Sequence, residues 1–109
     1  MNTKPIIENR FWQPELECLP RPQLLALQAE RLRAAVARAA KNPFYKQQFD
    51  ALGVTPDKIK SVDDVRRLPF TTKTDLRDSY PIGFLVVPRA EVARYQGTSG
   101  TTGKPTWTA

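Results

Sequence analysis

Thr98–Thr106 reads TSGTTGKPT, and the element on its far side decides the fold. A glycine-rich loop ending in lysine can open a helix, as in the Walker A pattern G-x-x-x-x-G-K-[ST], or it can join two strands. Counting back from Gly103-Lys104, the first Walker glycine falls at position 98, which is Thr98. The residue after Lys104 is Pro105, where that pattern needs a hydroxyl for magnesium. The next residues, TWTA, favour a strand, so no helix N-terminus is offered to an anion. Upstream, EVARYQGTS carries β-branched and aromatic residues with alternation at Val92, Arg94 and Gln96. The expectation for residues 92–109 is therefore strand, loop, strand.

Such a loop can still hold phosphate. Gly100 and Gly103 let the backbone turn its N–H groups to one concave side, as in an anion-binding nest. Thr98, Ser99, Thr101 and Thr102 add hydroxyl donors, and Lys104 adds a positive charge. A hairpin turn or a flexible terminal tail is the alternative that these residues leave open.

Upstream of residue 80 the sequence is helical in character. QLLALQAERLRAAVARAAKN places Leu25, Ala29, Leu32, Val36 and Ala39 at helical spacing, with Arg31, Arg38 and Lys41 opposite and a stop at Asn42-Pro43. PFYKQQFDALG groups Phe44, Tyr45, Phe49 and Leu52, and Gly53 is placed to close that helix in a left-handed conformation. SVDDVRRLP and TTKTDLRDSYP repeat one capping grammar: a hydroxyl cap, an early aspartate (Asp63 and Asp64, then Asp75) and a terminal proline. RFWQPELECLPRP reads as an extended or briefly helical arm anchoring Phe11 and Trp12 on an apolar surface. The expected organisation is a helical region at 1–91, most of its α-helix within 10–80, and the strand–loop–strand at 92–109.

Composition removes several chemistries. The 109 residues suffice for one small domain and include no histidine and one cysteine, Cys18. No Ser-His-Asp or Cys-His arrangement, intramolecular disulfide or cysteine-based zinc site can be assembled from them. The net charge is +6, yet the basic residues are dispersed among acids, without an aromatic–basic RNA-binding pattern or a helix-turn-helix turn. The longest apolar run, FLVVP, is far short of the ~20 residues of a membrane span, and the first residues lack a signal-peptide core. The expectation is a cytoplasmic protein without nucleic-acid or membrane partners.

The loop as a whole string resembles the signature loop of the adenylate-forming (AMP-binding) enzymes, with Thr98 to Pro105 in register. FWQPELECLPRPQL, NPFYKQQFDALGV, LPFTTKTDLRDSYP and VPRAEVARYQGTSGTTGKPT resemble the phenylacetate–CoA ligase group in the aryl-CoA ligase branch of that superfamily. Where those relatives often have a histidine and small residues ahead of the serine, this chain has Gln96, Gly97 and Thr98. The resemblance implies an α/β parent fold, of which 1–91 is the helical N-terminal region of the AMP-binding domain. It implies that Thr98, Ser99, Gly100, Thr101, Thr102, Gly103 and Lys104 bind the outer phosphates of ATP.

The implied reaction activates an aryl carboxylate as acyl-AMP and then forms its CoA thioester, using ATP, Mg2+ and CoA, as in phenylacetate catabolism. The catalytic groups and the magnesium carboxylate are expected beyond Ala109, with no metal site in this span. The expectation is an N-terminal fragment that holds no cofactor and is inactive alone, from a ligase for which a homodimer is left open. Two other readings stand beside it: a different adenylating ligase of the same superfamily, or a non-catalytic helical interaction module using the face of residues 23–41.

Overall fold

Prolines mark where the helices begin. In the computed structural model, which describes residues 10–100, 103 and 105–108, each of the first three helices has proline in its first two positions. A proline there loses nothing, because the first N–H groups of a helix have no internal partner. The elements are α1 (Pro14–Glu17), α2 (Arg21–Ala39), α3 (Pro43–Leu52), α4 (Lys73–Asp78), β1 (Gln96–Gly97) and β2 (Trp107–Thr108). Tight 3-10 turns at Pro56–Lys58, Val62–Arg67 and Arg89–Glu91 lie between them. The described chain is mostly helical.

Asn42 does more than stop α2. Its extended backbone ends one helix and caps the next, its Oδ1 accepting from the Phe44 N–H at 3.0 Å. Its Nδ2 donates to the carbonyls of Gly83 at 2.7 Å and Leu85 at 3.3 Å. The side chain is 1 % exposed, so the α2–α3 corner is tied through its interior to a segment some forty residues away. α3 then closes as a Schellman turn. Gly53 sits at φ 64°, the Val54 N–H reaches Phe49 O at 2.8 Å, and Gly53 N–H reaches Asp50 O at 3.2 Å.

The core forms inside this corner. Val36 from α2, Phe49 from α3, and Val54 and Ile59 beyond it are buried together, with Leu32, Ala39, Ala40, Tyr45 and Leu68 packed around them. Arg33 of α2 donates to Ile59 O at 3.1 Å and holds the 56–60 segment against the helix. Phe44 and Phe84 meet edge-on with centroids 4.9 Å apart, extending the apolar contact to the turn that Asn42 holds. The expected α2 stripe is thus turned inward, with Ala29 and Val36 fully buried. That face is occupied by the chain's own core, which removes the surface the interaction-module reading relied on. None of the described helices is long and apolar enough to cross a membrane.

The structure departs from expectation in four places. Val62–Arg67 keeps its capping aspartate, but the six residues before the Leu68-Pro69 stop form a 3-10 turn, as short segments do. Trp12 is 91 % exposed and Phe11 also faces solvent, so the arm anchors neither within the described chain. Leu52 lies at the end of α3 on the solvent side, and it too is exposed. Residues 92–95 are not strand, because strand needs a ladder partner and only Gln96 and Gly97 have one.

Replacing Asn42 with alanine removes a helix cap and the partner of the Gly83 and Leu85 carbonyls, which should cost about 1–3 kcal/mol in urea unfolding. Lys46→Ala, which breaks only an exposed pair with Asp50, should change little. A second expectation concerns acid. Backbone N–H groups of Ser61 and Lys60 hold the Asp64 carboxyl below the ordinary 3.8, and the Thr72 hydroxyl and N–H do the same for Asp75. A depressed folded pKa contributes stability that is present above 3.8 and is lost as pH falls through the lowered values. Protection of the Ser61 and Thr72 amides, taken relative to their intrinsic exchange rates, should therefore fall as pH drops below 3.8, and Asp75→Asn should abolish that response at Thr72.

Candidate functional site

The loop is delivered by α4 and the turn behind it. Thr72 caps α4 by a reciprocal pair: its N–H donates to Asp75 Oδ2 at 2.7 Å, and its hydroxyl accepts from the Asp75 N–H at 3.2 Å. After α4 the chain folds back at once, the Gly83 N–H bonding Ser79 O at 2.7 Å. A side chain at Gly83 would lie 2.5 Å from that same carbonyl, so only glycine permits the closure. Leu76 of α4 and Trp107 of β2 share the wall of one small hollow with Pro81, Phe84 and Leu85. The far strand thereby rests on the α4 region.

β1 and β2 pair antiparallel, Gln96 opposite Thr108 and Gly97 opposite Trp107. The Trp107 ring lies over Gly97, where a Cβ would approach its atoms to 2.9 Å. Gly97 is therefore the seat of an aromatic ring. The next rung joins Thr98 to Thr106: the Thr98 N–H donates to Thr106 O at 2.9 Å. The return bond runs from the Thr106 N–H to the Thr98 hydroxyl at 3.0 Å. Thr106 is buried, with its own hydroxyl unpaired among the described residues.

Past that rung the chain leaves the ladder. Gly100 turns at φ 68° and Gly103 at φ 120°, and the Gly103 N–H closes on Gly100 O at 3.0 Å. A side chain at Gly100 would come within 3.0 Å of Gly103 O and 3.1 Å of Pro105 N. The two glycines are thus needed for different reasons: Gly100 for conformation and close approach, Gly103 for conformation alone. Thr98 and Ser99 are exposed and Gly100 is half-buried. Thr101, Thr102 and Lys104 lie outside the described residues.

The structure thus gathers Thr98, Ser99, Gly100 and Gly103 into one turn between two strands, with β2 where a Walker loop would need a helix. The Thr98 oxygen accepts one bond in the stem, which leaves its hydroxyl proton and a second lone pair for a ligand. Gly97 and Thr106 were missed as functional candidates. A glycine three residues before another glycine, opposite a tryptophan, was the available signal for the first. Beside the loop, Arg77, Tyr80, Pro105 and Trp107 line an open hollow of about 400 Å3. Among the described residues no group of three or more carboxylate, cysteine or histidine side chains could hold a metal ion.

Comparison with known proteins gives this loop a setting. No family model matches the chain. Phenylacetate-coenzyme A ligase of Thermus thermophilus is 55 % identical over 97 residues, covering 88 % of this chain and 22 % of the relative. The enzyme of the same name from Aromatoleum evansii is 52 % identical over 92 residues, 84 % of this chain and 21 % of the relative. That of Escherichia coli K12 is 48 % identical over 85 residues, 77 % and 20 %. Over most of its length the chain is similar to one stretch of these phenylacetate-coenzyme A ligases. The chain spans about a fifth of the length of the curated relatives it matches.

Because Gly97 has no room for a side chain beneath Trp107, Gly97→Val should push the indole off the stem. The expected readout is a red-shifted Trp107 fluorescence component, isolated in a Trp12→Phe background, and faster exchange of the Thr98 amide. Gly103→Ala, whose Cβ meets no atom within 4 Å, should leave the indole in place despite its backbone strain.

Proposed function

We propose that the chain is part of an ATP-dependent aryl-acid ligase, and that Thr98 to Lys104 is its cradle for the outer phosphates of ATP. The observation carrying this reading is identity near one half to named phenylacetate-coenzyme A ligases over most of this chain. The turn of hydroxyls and left-handed glycines between two strands fits the role. The parent fold in this reading is α/β, with the helical region at 1–91 packed beside the AMP-binding sheet, and the enzyme works in the cytoplasm.

The proposed chemistry has two steps. A carboxylate oxygen of an arylacetate attacks the α-phosphorus of magnesium-bound ATP, the bond to the bridging oxygen breaks, and pyrophosphate leaves. The thiol of CoA then attacks the acyl carbon, its proton is lost, and AMP departs. In the first step charge accumulates on the leaving pyrophosphate. The loop amides and the hydroxyls of Ser99, Thr101 and Thr102 donate to that charge and stabilise it. Lys104 supplies the full positive charge, and Thr98 contributes through its hydroxyl proton.

The test is a ligase carrying this segment, assayed for AMP, pyrophosphate and thioester with phenylacetate, ATP and CoA. Lys104→Ala should raise the KM for ATP about tenfold to a hundredfold, the equivalent of one charge-assisted hydrogen bond. The KM for the organic acid should stay near its original value. Equal losses on both substrates would remove Lys104 from the cradle, and absence of ATP-dependent thioester would remove the function.

A further inference from the structure

The rung between Thr98 and Thr106 is half ordinary. At a hydrogen-bonded antiparallel pair, two residues exchange both backbone bonds. Here Thr98 gives its N–H to the Thr106 carbonyl, but receives the Thr106 N–H on its side-chain oxygen. The exchange of a carbonyl for a hydroxyl ends the ladder and lets the strands part into the loop. It also makes the stem depend on a hydroxyl residue at position 98.

Thr106 adds a second anomaly. It is 3 % exposed, and its hydroxyl has no partner among the described residues. Valine has nearly the same shape and no polar atom to satisfy, so the fold alone would favour valine at this position. A buried hydroxyl without a partner, one residue from Pro105 and across the rung from Thr98, indicates a conformation of the loop in which that hydroxyl is used.

We infer that Thr106 is a positioning residue of the loop, its buried hydroxyl pairing with the loop backbone when a polyphosphate occupies the cradle. The inference rests on the phosphate-loop reading above and extends that site beyond Lys104 to the stem. The ligand class is the polyphosphate tail of a nucleoside triphosphate. Thr106 itself touches no phosphate oxygen. It acts through the turn, where the Gly103 N–H now closes on Gly100 O, by favouring an open arrangement that frees amides for the anion.

The test compares Thr106→Val, Thr106→Ser and Lys104→Ala in the ligase carrying this segment, with KM values for Mg-ATP, phenylacetate and CoA and the thermal midpoint of each variant. Thr106→Val should unfold at or above the temperature of the unchanged protein, yet raise the ATP KM about tenfold while sparing the other two. Thr106→Ser, which keeps the hydroxyl, should hold the ATP KM within about twofold. If Thr106→Val fails to fold, Thr106→Ala takes its place with the same expected split. An unchanged ATP KM in the hydroxyl-less variant, with a raised one in Lys104→Ala, overturns this inference and leaves the cradle standing. No change in either variant overturns both. Equal losses for all three substrates, not rescued by serine, reduce Thr106 to a packing residue.

Discussion

The three hydrogen bonds of the Asn42 side chain are the constraint on which the remaining architecture depends. One bond starts α3, and two reach the Gly83 and Leu85 carbonyls in the turn after α4. Carbonyls in an irregular turn have no ladder to satisfy them and take their partners from elsewhere in the chain. A single amide meets that need and at the same moment sets the angle at which α2 hands over to α3. The turn it holds shares with α4 the hollow against which Trp107 rests.

The loop itself is built by subtraction. Gly97 has no side chain so that Trp107 can lie across the stem, and Gly100 has none so that the chain can pass close to Gly103 and Pro105. Thr98 places a hydroxyl where a carbonyl would normally accept. Together these choices end a two-residue ladder abruptly and leave a turn whose glycines have left-handed φ values. An anion cradle needs that openness, because N–H groups already committed to a ladder have nothing to give a phosphate.

The chemistry-bearing residues were more legible in the sequence than the surfaces around them. Gly53 as a left-handed cap and the hydroxyl cap with an early Asp75 were each readable, because a cap involves residues within three or four positions of one another. The inward face of α2 was readable for the same reason, its period being set by the helix alone. Strand at 92–95 was misread because β-branched and aromatic residues describe a preference, while a strand exists only where another chain segment pairs with it. The burial of Phe11 and Trp12 was misread for a like reason: large apolar side chains express a demand for a partner without supplying one.

By itself the sequence determined that the loop departs from the Walker pattern, since Pro105 stands where that pattern needs a hydroxyl, and the β-favouring TWT predicted a strand beyond it. It determined the capping pattern and, through the whole string from Thr98 to Pro105, the resemblance to adenylate-forming enzymes. Only the tertiary structure decided that Asn42 is a tie across the fold, that the Thr98 hydroxyl accepts in the stem, and that Thr106 is buried with a hydroxyl unpaired among the described residues. These depend on residues from eight to some forty positions apart meeting in space. No local preference encodes such a meeting, because its free energy arises from closing long loops around shared burial.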